Sequence, residues 1–228
     1  MSEDKVPKVQ RALVLQGGGA LGAYDTGVFQ ALYEKINTGS DGKSLFDVVA
    51  GTSSGAMNAS ILISNVVEKG WDHAANKLNE FWDYVSTNPY IQNIPVFSMW
   101  WKNLHSADPN AASEEVARRY YSTKQFLFTG VPNVFFPLLP LPDTKFFDPQ
   151  NIWPAYSNQP LKDSLERYAK FPIATSSDLN QPRLLLVSVD VLEGAAVTFD
   201  SYPRVDGSRR SGYGNYYPAN NHDYITTN

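Results

Sequence analysis

Apolar residues along this chain fall into short unbroken runs separated by longer periodic stretches. RALVLQ (11–16) and LFDVVA (45–50) are compact and rich in Leu, Val and Ala. Such runs predict strands buried on both faces. PRLLLVSVDV (182–191) predicts a third strand, and GAAVTFDSY (194–202) its hairpin partner. Between the first two runs the period lengthens. In YDTGVFQALYEKI (24–36), Val28, Leu32 and Ile36 recur at spacing four with Phe29 beside them, which predicts a helix with one apolar face. GAMNASILISNVVEKG (55–70) predicts a second helix ending at Gly70, a suitable C-cap. A third is expected over 71–84 with Leu78, Phe81 and Trp82 inward, and short ones over ASEEVARRYYS (112–122) and LKDSLERYA (161–169). Residues 37–43 read as a turn, 86–112 as irregular, and 126–160 as an excursion rich in Pro, Asn and Phe. Strands alternating with helices predict a three-layer α/β/α fold with a mainly parallel sheet.

Composition narrows the classes of function. With 43% hydrophobic and 18% charged residues, the 228-residue chain can bury a sizeable core. A net charge of −4 gives no footing for nucleic-acid binding. The absence of cysteine excludes disulfides, thiolate nucleophiles and cysteine-ligated metals. The first ten residues mix charges and contain no apolar run, unlike a secretory signal. The uncharged run 126–142 is broken by Pro132, Pro137, Pro140 and Pro142, so it predicts no transmembrane helix. The aromatic and proline-rich part of that region, 131–147, reads either as a loop packed on its own domain or as a rim that meets acyl chains.

Two glycine motifs sit at the carboxyl ends of the first two strands. Gly17-Gly18-Gly19-Ala20-Leu21-Gly22 fits G-x-G-x-x-G. A dinucleotide site would need an acidic residue near the end of the second strand, where Ala50 and then Gly51 stand. The alternative is a set of backbone N–H groups aimed at a transient negative charge. Gly51-Thr52-Ser53-Ser54-Gly55 fits G-x-S-x-G, the strand-to-helix elbow that presents a nucleophile. Only Ser53 has glycine two residues away on each side, and Ser54 falls in the first turn of the helix. The bland reading of both motifs is close packing of helix on strand.

RALVLQGGGALGAYDTGVFQAL, followed by FDVVAGTSSGAMNA, resembles the start of a patatin-like phospholipase, a family of bacterial and plant acyl hydrolases. The resemblance is strongest over 11–65 and continues in QPRLLLVSVDV and VTFDSY. It implies a lipid or acyl-ester substrate, met in the cytoplasm or at a membrane surface, and a Ser–Asp dyad that works without histidine, metal or cofactor. On this sequence it makes Ser53 the nucleophile, Gly17, Gly18 and Gly19 the oxyanion hole, and Gly51 and Gly55 the elbow glycines. Leu21 stands where many members carry Arg or Lys.

The base is harder to place. The family's aspartate comes from an Asp-Gly-Gly or Asp-Gly-Ala motif far downstream. This chain offers Asp41-Gly42 in the first loop and Asp206-Gly207-Ser208 in a polar tail. Asp206 is the candidate within the chain, with Asp190 as another. The expectation is that the family's own aspartate lies beyond Asn228. The expected organisation is a polar arm (1–10), an incomplete hydrolase domain (11–203) and a polar Gly/Tyr/Asn-rich tail (204–228). A triad in hydrolase order would instead use Ser53, Asp178 or Asp190, and His222, but His222 lies in that tail. His73 and His105 have no clustered ligands around them in sequence, so no metal is expected. The competing functions are a nucleotide-binding module built on Gly17–Gly22 and a lipid-binding fragment without catalysis. Oligomeric state has no sequence signal.

Overall fold

The computed structural model describes residues 9–37, 45–86, 119, 123, 130–131, 133–137, 156–190 and 194–203. In chain order the helices and strands are β1 (Ala12–Leu15), α1 (Gly22–Asn37), β2 (Val48–Thr52), α2 (Ser54–Lys69), α3 (Trp71–Val85), β3 (Phe136–Pro137), β4 (Tyr156–Ser157), α4 (Gln159–Tyr168), β5 (Arg183–Asp190) and β6 (Ala195–Asp200). The chain divides into two compact units, Met1–Trp82 with Leu165–Asn228, and Asp83–Ser164.

The first unit holds a four-stranded sheet in the order β1-β2-β5-β6. β1, β2 and β5 run parallel, with Leu13 opposite Val49 and Val49 opposite Leu184. β6 closes the sheet antiparallel to β5, the hairpin expected from the sequence. Successive crossovers that step the same way across a parallel sheet are right-handed and place their helices on one side. α2 accordingly packs on β1, β2 and β5, and α1 packs beside α2. Leu13, Leu15, Val49 and Leu184 form the covered face, each at most 9% exposed. α2 is the central helix, buried without interruption from Asn58 to Asn65.

Two expectations need correction. β1 is not buried on both faces: Leu13 and Leu15 are covered, but Val14, between them, is 74% exposed. The other sheet face carries no described helix there, and Val187 and Val189 are exposed as well. On α1, Val28 and Leu32 face outward. The buried line is Gly22, Thr26 and Phe29, because α1 packs through Phe29 on an aromatic cluster. Phe29 lies 6.5 Å from Phe46 and 6.2 Å from Trp71, ring centre to ring centre. The third helix matches its pattern, with Ala74, Ala75, Leu78 and Phe81 buried at helical spacing.

Polar side chains fasten the ends of these elements. Asn65 Nδ2 donates to Tyr168 O at 2.8 Å, and Lys170 N donates to Ser64 Oγ at 2.7 Å. Ser201 Oγ, fully buried, accepts from Leu184 N at 2.8 Å. At the amino edge of the sheet, Arg11 N donates to Asp47 at 2.7 Å. In the second unit, β3 and β4 form a short antiparallel pair. There Asn133 Nδ2 donates to Tyr84 O at 2.9 Å, and Phe135 meets Tyr156 edge-on. No described helix is long and apolar enough to cross a membrane. Of the expected helix over 112–122 only residue 119 is described, and it is helical; the tail 204–228 lies outside the described residues.

Candidate active site

β2 ends at Thr52 and α2 begins at Ser54, so the whole reversal from strand to helix falls on Ser53. Ser53 adopts φ 52°, ψ −126°. A non-glycine residue in such a region stores about 1–3 kcal/mol of backbone strain, and residues of this kind concentrate at functional sites. The flanking glycines are required by contact. A Cβ on Gly51 would lie 2.2 Å from Gly55 O, and a Cβ on Gly55 would lie 2.2 Å from Leu15 O. Backbone therefore meets backbone at both positions, and α2 starts directly against the carboxyl end of β1.

The two serines separate cleanly. Ser53 is exposed and its side chain makes no capping bond to α2. Ser54 is 1% exposed, and its Oγ accepts the Gly18 N–H at 3.0 Å. The Gly17–Gly19 loop reaches the same point. A Cβ on Gly17 would lie 2.7 Å from Ser53 Cβ, so loop and serine are in direct apposition. Gly18 is extended, and its carbonyl accepts Leu21 N at 3.1 Å. Gly19 follows at φ +57° with open space around its Cα.

The backbone groups of the two turns divide into engaged and unengaged ones. Ser53 O takes Ala56 N at 2.9 Å and Met57 N at 3.2 Å. The amides of Ser54, Gly55, Gly17 and Gly19 find no acceptor among the described residues. Orphan N–H groups at a helix start carry partial positive charge. The loop is braced from behind. A Cβ on Gly22 would lie 2.4 Å from the Trp82 ring. Asn58, fully buried, donates from Nδ2 to Gly22 O at 2.9 Å and accepts Trp82 Nε1 at 2.8 Å.

A family model described as patatin-like phospholipase matches residues 13–211. The chain belongs to the patatin-like phospholipase family. That is a family of lipid acyl hydrolases, and its fold is a mixed, mostly parallel sheet flanked by helices, the three-layer α/β/α arrangement. A comparison with curated proteins found no match.

In this patatin-like chain, Ser53, Gly17, Gly51 and Gly55 are brought together. Gly18 is also there, but with its amide engaged. Asp206, Asp41, His105 and His222 lie outside the described residues, as does most of 131–147. Among the described residues no carboxylate or imidazole is hydrogen bonded to Ser53. Asp200 is paired with Arg183, and Asp178 is exposed in a 3-10 turn. Asp190 ends β5, three residues past Val187, whose backbone pairs with Thr52. The acidic residue that a nucleotide site needs is absent from the end of β2, where Thr52 donates to Val187 O at 3.1 Å. Among the described residues no cluster of three or more His, Asp or Glu side chains could hold a metal ion. Sequence reasoning passed over Asn58, although an amide within the apolar run AMNASILI must find partners when buried.

Proposed function

We propose that this chain hydrolyses carboxylic esters of lipids, with Ser53 as nucleophile and the glycine loop as oxyanion hole. The observation that carries the reading is the apposition of Gly17 to Ser53, at a residue held in a rare backbone conformation. In the reaction, Ser53 Oγ attacks the ester carbonyl and its proton passes to an aspartate. The carbonyl electrons move onto oxygen, where loop amides and the start of α2 face the charge. Collapse breaks the C–O bond of the alcohol, which leaves with the proton. Water then attacks the acyl-enzyme with the same aspartate as base, regenerating Ser53 and releasing the acid. Asp206 is the aspartate proposed for this role within the chain.

The test is hydrolysis of a p-nitrophenyl acyl ester. Ser53→Ala should lower kcat by about 1,000-fold or more. Wild-type turnover in that variant would overturn the reading. Asp206→Asn tests the candidate within the chain: a comparable loss assigns it the proton, and retained activity moves the base to another aspartate.

A further inference from the structure

The hydroxyl at position 54 is sealed from solvent at 1% exposure, yet it has a definite task. Its oxygen accepts the Gly18 N–H at 3.0 Å, across 36 residues of sequence. That bond joins the first turn of α2 to the loop leaving β1. The next peptide is fixed as well, because Gly18 O accepts Leu21 N at 3.1 Å. In a planar trans peptide the N–H lies opposite the C=O. The Gly19 N–H therefore points away from the 3-10 turn, and it finds no acceptor among the described residues. Three successive glycines have more backbone freedom than any other tripeptide. Here two of their peptides are held by named partners.

Resting on the ester-hydrolase reading above, we propose that Ser54 is a positioning residue for the oxyanion hole. Its hydroxyl takes the Gly18 amide out of the donor set and sets the loop so that Gly19 is the amide presented to the reacting oxygen. A hydrogen-bond acceptor is then needed at position 54, beyond a residue of the right size. Small displacements of a preorganised group cost up to about 100-fold in rate.

The test uses the 228-residue chain with Ser54→Ala, Ser54→Thr and Ser53→Ala. Ser54→Ala should lower kcat for a p-nitrophenyl ester by about 10- to 100-fold with KM changed less than about twofold. Ser54→Thr, which keeps the hydroxyl, should recover most of the loss. Amide hydrogen exchange at Gly18 should speed up in Ser54→Ala and return toward wild type in Ser54→Thr, a readout that needs no turnover. Unchanged or raised kcat in Ser54→Ala, with Ser53 still essential, overturns the positioning role alone. Equal Gly18 exchange in wild type and Ser54→Ala also overturns it. Turnover that survives Ser53→Ala removes the hydrolase reading and this inference together. Gly18 exchange would still report the bond in that case.

Discussion

Two adjacent serines with the same side chain end in opposite surroundings because α2 begins between them. Ser53 carries the reversal and keeps its hydroxyl in the open, whereas Ser54 turns inward in the first helical turn. This division was readable from the spacing of Gly51 and Gly55, since only one serine can occupy the centre of the elbow. The bond from Gly18 to Ser54 was not, because it depends on how two separate turns face each other. Contact also sorts the glycines. Gly17→Ala would place its Cβ 2.7 Å from Ser53 Cβ. Steady-state kinetics should show a loss of about 100-fold or more in kcat, since loop and serine cannot both keep their places. Gly27 is the contrast. It sits inside α1 with nothing within 4 Å of an added Cβ. Gly27→Ala should stabilise the protein by about 0.5–1 kcal/mol in urea unfolding and leave ester hydrolysis unchanged.

At the scale of elements, the glycine loop is only as steady as the helices behind it. Asn58 on α2 holds α1 through Gly22 O and α3 through Trp82 Nε1. Asn58→Leu keeps the branched shape but removes both bonds, leaving the indole N–H of Trp82 without that partner. Unpaired buried groups cost about 1–3 kcal/mol each. Chemical denaturation should show a loss of about 2–4 kcal/mol, with a drop in kcat from the loosened loop. The helices were legible because their apolar periodicity is strong. Their facing was less so: Val28 and Leu32 form as good a stripe as Phe29 on paper. Only the aromatic group of Phe46 and Trp71, distant in sequence, decides that Phe29 goes inward. Likewise, β1 reads as a fully apolar strand because Val14 is as apolar as Leu13, and nothing local tells which face receives α2.

Across the whole molecule, pH acts on stability through pairs that link separate segments. Tyr33 on α1 donates to Asp72 on α3. Burial first, then this bond and the Asp72 charge, push its phenol up to about 12. A group whose folded value is raised gives stability that is complete below its unfolded value and lost as pH rises through the folded one. The unfolding free energy should therefore fall as pH climbs from about 10 towards 12. Tyr33→Phe should remove that slope, measured as urea midpoints against pH. The architecture was legible as a class, from strands alternating with helices. The base remains the least legible part, because an aspartate without a fixed strand ahead of it carries no positional signal. The order of the strands also governs how the protein is made. β2 has its partner β1 at hand early, but β5 pairs with it across 135 residues, as at Thr52 and Val187. At about 5–20 residues per second, a ribosome needs on the order of 10 s to deliver that partner. During this interval one side of β2 waits unpaired in the nascent chain, so aggregation during translation is the hazard this topology builds in.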